Sequence, residues 1–248
     1  MSRFLVQASW NDCGHLTEEA KIELFQSLPP YQRDARSKGI PVLGAGAIYP
    51  IPESDLVIPD IEIPEHWPKC FGYDVGWRVS AACWGALSRD TDTLYIYAEH
   101  YRGEAEPVVH AEAIKARGAW IKGAIDPASR GRGQVDGRNL LDMYRDLGLD
   151  LVPAENSVET GIYEVLTRMS SGRLKVFKSC QNLLAEFRLY RRDEKGRIIK
   201  DRDHLLDSLR YLVMEMHNIL GTKPKPKRDE TQYVTAGYGR NSGTGWMG

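Results

Sequence analysis

The chain has 248 residues, a formal net charge of −1 at pH 7, and 42% hydrophobic and 27% charged residues. This balance is typical of globular proteins and excludes a disordered or fibrous chain. No apolar run approaches the roughly eighteen residues that a membrane span needs, and the N-terminus lacks the features of a secretory signal. Because the net charge is close to zero, any binding of nucleic acid must come from a local basic patch.

Two familiar classes of motif are absent from the sequence. The four cysteines, Cys13, Cys70, Cys83 and Cys180, are far apart and form no C-x-x-C pair. That spacing excludes the usual zinc ribbons and predicts reduced thiols. No G-x-x-x-x-G-K-[ST] motif occurs either, so the sequence shows no phosphate-binding loop of the kind that ATPases carry.

Residues 1–68 are predicted to form a connecting segment rather than a packed domain. A helix is expected to start after the N-cap residue Thr17 and to end before Pro29, with a second short helix over 31–37. The stretch from 39 to 68 is rich in proline, which favours short edge strands and an extended connection.

From residue 70 onward, the sequence predicts a mixed β-sheet flanked by helices. Three strands over 70–77, 80–88 and 93–101 are separated by short turns, which predicts an antiparallel meander. Helices and strands then alternate, which predicts βαβ units and an α/β fold. The expected elements are a helix over 107–118, a strand over 121–126, a helix over 136–148, a strand over 150–154, a helix over 157–172, an edge strand over 173–178, a helix over 180–193, a basic hairpin over 192–199, a last helix over 201–220 and a Pro/Gly-rich tail over 222–248.

Two aspartates occupy unusual positions on the predicted strands. Asp74 lies inside the first strand among apolar residues, where a carboxylate is costly to bury unless it is paired or binds a metal. Asp126 ends the strand over 121–126. Each has an ordinary alternative, since Asp74 can cap a turn with Gly76, and an Asp-Pro pair such as Asp126-Pro127 commonly opens a loop.

A third polar cluster lies at the start of the last helix. Its leucines form one stripe about 120° wide at helical spacing, which predicts the buried face. Asp203 and Asp207 fall almost opposite that stripe, with His204 about 60° further round. The alternative is that the acids simply favour the helix dipole, or that Asp207 pairs with Arg202 or Arg210.

Taken together, carboxylates on two strands and on a late helix can gather around a pair of divalent cations. Oxygen ligands suit Mg²⁺ and Mn²⁺, and an imidazole ligand suits Mn²⁺ better than Mg²⁺. Two such ions activate water and stabilise the departing oxygen in phosphodiester cleavage.

The chain resembles the C-terminal nuclease domain of the large terminase subunit of tailed bacteriophages over residues 8–215. FGYDVGW at 71–77 is similar to the strand motif that supplies the first metal ligand of that family. KDRDHLLDSLRYLV at 200–213 is similar to its D-H-x-x-D-[AS]-x-R-Y helix. Residues 8–19 and 28–51 resemble the segment that joins the packaging ATPase to the nuclease.

The resemblance implies a ribonuclease-H-like fold and metal-dependent cleavage of concatemeric double-stranded viral DNA during genome packaging. It implies that Asp74 and Asp126 are the first two catalytic aspartates. His204 and Asp207 would fill the third position of a site for two Mg²⁺ or Mn²⁺ ions, with Asp203 either as a further ligand or as a residue that supports the ligands. The implied nuclease domain covers 69–221.

The same resemblance carries expectations about the setting of the protein. Without a phosphate-binding loop, this chain is expected to be the nuclease half alone, with no ATPase activity. Besides double-stranded DNA, its partners would be the terminase ATPase domain, the small terminase subunit and the portal. It would act in the host cytoplasm and be absent from the mature virion.

A DNA-binding surface is predicted from basic residues close to these carboxylates. Arg78 follows the first strand and is a candidate to hold a phosphate or to orient a carboxylate. The glycine-spaced loop after Asp126 and the basic hairpin before the last helix are candidates for sequence-independent, salt-sensitive phosphate contacts. The alternative is a solvated basic surface. The candidates are Arg78, Arg130, Arg132, Arg191, Arg192, Lys195, Arg197 and Lys200.

Two other functions fit the same features. A junction resolvase or transposase core would share the ligand layout but would cut branched or end-specific DNA. A non-catalytic docking module of a packaging motor would instead use the acidic segment 1–70 and the tail for contacts with an ATPase or portal.

Overall fold

The described part of the chain is organised around one mixed β-sheet. The computed structural model describes residues 9–27, 37, 46–131, 139–193 and 195–224. Within them, seven strands are ordered β1-β7-β4-β3-β2-β5-β6. The strands are β1 (Val57–Ile58), β2 (Lys69–Asp74), β3 (Ser80–Ser88), β4 (Thr93–Arg102), β5 (Gly123–Ile125), β6 (Leu151–Pro153) and β7 (Leu174–Phe177).

The predicted antiparallel meander is confirmed, and so is the mixed sheet. β2 pairs antiparallel with β3, and β3 with β4, whereas β5 runs parallel to β2 and β6 parallel to β5. The central strand β3 is buried along its whole length. Its sequence SAACWGALS is mostly small and apolar, which allows helices to cover both faces of the sheet.

The prediction that residues 173–178 form an edge strand is wrong. β7 lies inside the sheet, parallel to β4 on one side and to β1 on the other. The edge is instead the two-residue strand β1, which is too short to recognise from its sequence pattern. The connecting segment also supplies Ile48, Tyr49 and Leu56 to the core, where each is less than 7% exposed.

From residue 107 onward the helices follow the predicted order with shorter bounds, whereas the short helix Glu53–Leu56 lies in a stretch predicted to be extended. Residues 31–36 of the second predicted helix, residues 136–138 of the helix predicted over 136–148, and residues 225–248 of the tail lie outside the described residues. In the described ranges, no helix is long and apolar enough to cross a membrane. The helices are α1 (Glu18–Ser27), α2 (Glu53–Leu56), α3 (Pro107–Lys115), α4 (Leu140–Asp146), α5 (Val158–Ser170), α6 (Gln181–Leu189) and α7 (His204–Ile219), with short 3₁₀ helices at Trp10–Asp12 and Pro127–Arg130.

Two hydrophobic clusters cover the two faces of the sheet. Successive residues of a strand point to opposite faces, so Phe71 and Tyr73 enter the cluster that α3 and α4 complete. Cys70 belongs to the other cluster, to which α5, α6 and α7 contribute. Gly72 and Asp74 share that second face by the same alternation. The candidate ligand Asp74 therefore points toward the helix that carries the other candidate ligands.

Helix α7 lies directly on β2 and β3 because a glycine stands beneath it. A Cβ on Gly72 would overlap the backbone oxygen of Ser208, so only glycine allows this approach. On the neighbouring strand, the amide of Cys83 donates a hydrogen bond of 3.1 Å to Ser208 Oγ. α7 is consequently buried almost all round over its first ten residues. The face opposite the leucine stripe is therefore not a solvent face.

Candidate metal centre

Asp74 and His204 form the first pair of the candidate centre. Asp74 is the last residue of β2 rather than a residue inside the strand, so its carboxylate stands where the strand leaves the sheet. Oδ2 of Asp74 lies 2.9 Å from Nδ1 of His204 at the start of α7. The alternative role of Asp74 as a turn cap is not seen, because Ser80 Oγ makes the contacts to the Gly76 backbone.

The pKa values of this pair reflect burial and mutual attraction. Burial raises the pKa of Asp74, the hydrogen bond to His204 opposes that increase, and the nearby charge of Asp207 adds to it. The hydrogen bond to Asp74 raises the pKa of His204, against the effect of burial. Burying the Asp74 charge is therefore unfavourable, and a cation beside it would relieve the penalty.

Asp126 stands directly after β5, the strand parallel to β2. Its Oδ1 accepts a hydrogen bond of 2.9 Å from the amide of Ala128, which caps the short 3₁₀ helix. Oδ1 also lies 3.3 Å from the hydroxyl of Tyr211, which donates to it from α7. The loop-opening alternative is thus present, and it leaves the other oxygen, Oδ2, outside both bonds.

Asp207 is held from two sides on α7. Arg210 donates to Oδ1 from Nε at 3.2 Å and from Nη2 at 3.0 Å. Lys200 Nζ lies 3.3 Å from Oδ2. Arg210 is only 2% exposed, and its stem passes Gly161 of α5, where a Cβ would come within 2.5 Å of Arg210 Cγ. The buried arginine therefore fixes the orientation of Asp207 and directs Oδ2 toward the more exposed Lys200.

Asp203 is a buried carboxylate that lacks the usual bonds of its position. It is 6% exposed and occupies the N-cap position of α7, but its side chain makes no capping hydrogen bond. Oδ2 lies 3.3 Å from Lys200 Nζ and has no hydrogen-bond partner among the described residues. Burial lowers the pKa of Lys200, but Asp207 and Asp203 outweigh it, so the pKa is raised. The Lys200 ammonium is the cation now shared by the two aspartates.

Tyr211 experiences the charges of three of these carboxylates. Burial raises the pKa of Tyr211, and the charges of Asp126, Asp207 and Asp74 each raise it further. In the described ranges, no group of three or more His, Cys, Asp and Glu side chains is arranged to hold a metal ion as it stands. The donor set nevertheless fits a hard divalent cation, because it offers carboxylate oxygens and a buried Asp203 oxygen without a hydrogen bond. The Lys200 side chain, which is 61% exposed, can leave without disturbing the core.

The predicted DNA-binding residues fall into two groups, those that are paired with carboxylates and those that are exposed. Arg192 makes an ion pair with Glu159 at 2.6 Å, and Lys200 contacts the two aspartates. Arg132 lies outside the described residues. The remaining candidates are exposed, namely Arg78, Arg130, Arg191, Lys195 and Arg197. The basic hairpin is present as a bridge between residues 192 and 198.

Four residues that shape this centre are not among the ligands that the sequence predicts. Tyr211 and Arg210 lie four and three positions after Asp207, which is the helical spacing of side chains on one face. Only the pairing of Asp207 with Arg210 was anticipated. Lys200 was assigned to DNA, although its spacing of three from Asp203 allows an ion pair. Glu186, which approaches from α6, is remote in sequence and gave no local signal.

The class of fold follows from this arrangement. An antiparallel meander with parallel strands beside it, and carboxylates at the ends of β2 and β5 facing a buried helix, define a ribonuclease-H-like domain. Residues 71–216 match the family described as "Terminase RNaseH-like domain". The large terminase subunit of Salmonella phage P22 is 34% identical over 223 residues, which are 86% of this chain and 44% of that protein.

Solved structures agree with this assignment. The P22 large terminase nuclease domain superimposes with a TM-score of 0.66 and 32% identity, covering 73% of this chain and 97% of that chain. The nuclease domain of the large terminase from phage SPP1, solved with bound Mn, has the same fold, with a TM-score of 0.51, 14% identity, and coverage of 68% and 99%. The chain belongs to the terminase RNaseH-like nuclease family. It spans less than half the length of the P22 subunit.

Proposed function

We propose that this chain is a metal-dependent endonuclease that cuts concatemeric double-stranded viral DNA during genome packaging. The observation that carries the proposal is that one helix, α7, contacts both strand carboxylates: His204 lies 2.9 Å from Asp74, and Tyr211 lies 3.3 Å from Asp126. The same helix carries Asp207 and, at its N-cap, the buried Asp203. Membership in the terminase nuclease family and the Mn bound by the SPP1 relative support the same reaction.

We propose that Asp74, Asp126, Asp203, His204 and Asp207 hold two Mg²⁺ or Mn²⁺ ions. When bound, such ions activate water for attack on the phosphate and neutralise charge on the leaving 3′ oxygen. The residues themselves position the donors. Arg210 turns Oδ2 of Asp207 toward the site, and Tyr211 and Ala128 fix Oδ1 of Asp126. No protein nucleophile is required.

Double-stranded DNA would approach along the exposed basic residues around the centre. Arg130 ends the 3₁₀ helix that Asp126 begins, so it stands close to the candidate ligands. Arg78 is exposed in the loop after β2. Lys195 and Arg197 are exposed on the hairpin that precedes α7, and Arg191 is exposed directly before that hairpin. Contacts of this kind neutralise phosphates without reading sequence. We therefore propose that the surface binds the DNA backbone with a strong dependence on salt.

The wider setting of the chain is also a proposal. Because the P22 relative is more than twice as long, we propose that a terminase ATPase domain, the small terminase subunit and the portal are its partners in the host cytoplasm. We also propose that the nuclease unit begins near residue 46 rather than at 69, since Ile48, Tyr49 and Leu56 are buried in it. Its end near 221 is supported by the backbone pairing of Lys69 with Gly221.

Plasmid cleavage tests this function. The purified chain is expected to nick and linearise supercoiled plasmid in Mg²⁺ or Mn²⁺ and to lose the activity in EDTA. A four-way junction and a linear duplex of equal length serve as matched substrates. Comparable cutting of both supports the packaging nuclease. Strong preference for the junction would favour a resolvase-like enzyme, and intact DNA with every metal would favour a non-catalytic docking module.

A further inference from the structure

Helix α7 is capped by a side chain from another helix. The first amides of a helix have no partner within it and need an acceptor, especially when they are buried. Here Oε2 of Glu186 on α6 accepts hydrogen bonds from the amides of Leu205 at 2.7 Å and Leu206 at 3.2 Å. Glu186 is only 3% exposed, so these bonds are shielded from water.

Because Glu186 accepts these hydrogen bonds, Asp203, the N-cap residue of α7, does not need to make them. An aspartate at the N-cap normally accepts from the second or third amide of its own helix. Asp203 makes no such bond, and its backbone, with φ −118° and ψ 12°, departs from the extended conformation usual for a cap. Its carboxylate instead lies beside Lys200 Nζ with one buried oxygen lacking a hydrogen bond.

We propose that Glu186 is a positioning residue that takes over the capping of α7 and thereby releases Asp203 to bind a divalent cation. This inference rests on the proposed metal centre and adds a residue to its support. Without Glu186, Asp203 is expected to turn back to the amides of Leu205 and Leu206, because that is the ordinary bond at its position. The metal centre would then lose one of its buried oxygen donors.

The chain offers a matched control for a lost cap. Glu99 on β4 accepts hydrogen bonds of 2.9 Å from the amides of Asn182 and Leu183 at the start of α6. Glu99→Ala therefore removes the same kind of bond from the N-terminus of α6, which carries no candidate ligand, while Glu186 itself stays in place on that helix. Glu186→Gln serves as a rescue, because its amide oxygen still accepts from Leu205 and Leu206.

Calorimetric titration of the 248-residue chain with Mn²⁺, without DNA, tests the proposal. Glu186→Ala is expected to weaken Mn²⁺ affinity about tenfold, as loss of an outer support commonly does. Glu186→Gln and Glu99→Ala should stay within about threefold of the parent chain. Asp203→Asn should weaken binding in the parent chain but add nothing in Glu186→Ala, because Asp203 is already withdrawn there.

Contrary results would distinguish a failure of the proposed role of Glu186 from a failure of the proposed metal centre. Equal weakening by Asp203→Asn in both backgrounds, or parent-like affinity of Glu186→Ala, would overturn the role of Glu186 while leaving the metal centre intact. If Glu186→Ala does not fold, weak Mn²⁺ binding by a folded Glu186→Gln chain would overturn the capping argument. If the parent chain itself binds no Mn²⁺, the proposed metal centre fails, and the role of Glu186 fails with it.

Discussion

Gly72→Ala is expected to destabilise the protein by about 3 kcal/mol, the upper part of the usual range for an overpacked core. The new methyl group would overlap the backbone oxygen of Ser208 and press on Leu212 Cβ at 3.1 Å. A backbone atom cannot rotate aside as a flexible side chain can. Helix α7 must therefore lift away from β2, which also separates His204 from Asp74.

Denaturant unfolding measures this effect, and Gly221→Ala is the matched control. Nothing lies within 4 Å of a Cβ at Gly221, so that variant should unfold within about 0.5 kcal/mol of the parent chain. A Gly72→Ala protein as stable as the control would show that α7 does not rest on β2 as the structure has it.

Asp74→Asn is expected to lower the rate of plasmid cleavage about 1000-fold while the fold is retained. A catalytic divalent cation contributes several kcal/mol to the transition state, and each 1.4 kcal/mol corresponds to a factor of ten. The amide keeps the shape of the carboxylate but removes the charge that would hold the cation. Burial raises the pKa of Asp74, which means that burying its charge costs folding free energy. The neutral amide avoids that cost, so the variant is expected to stay folded.

The two effects are distinguished by measuring cleavage and thermal unfolding on the same preparation. Asp150→Asn is the control, since this carboxylate is 54% exposed and pairs with Lys122 at 3.4 Å. Asp150 is also remote in sequence from the candidate ligands. The control should cleave at the parent rate. Full activity of a folded Asp74→Asn chain would remove Asp74 from the catalytic site.

The sequence predicted the part of the fold that local patterns encode. The meander strands are long, and their turns are short, so their order and direction follow from neighbouring residues. The position of β7 was not predictable in the same way. Its neighbour β1 has only two residues and pairs across more than a hundred positions of the chain, so no local periodicity reports it.

The candidate site shows the same division. Asp74, Asp126 and the polar start of α7 were identified because charged residues interrupt apolar patterns there. The helical spacing also places Asp203 and Asp207 opposite the leucines. It identifies one buried face, however, and cannot show whether the opposite face is covered as well. In the structure α5, α6 and three strands enclose α7, so the opposite face is buried as well. Because α7 is enclosed, its buried polar groups need partners from the protein: Arg210 donates to Asp207, and Glu186 accepts from the first amides of the helix. The contact with Glu186 joins two helices and is visible only in the tertiary structure.

Anomalous diffraction from a crystal of the chain soaked in Mn²⁺ tests the central claim most directly. The account predicts one or two strong peaks within coordination distance of the carboxylates of Asp74, Asp126 and Asp207, with Lys200 Nζ displaced from the aspartates. Peaks only elsewhere on the protein, with Lys200 still bridging Asp203 and Asp207, would contradict it.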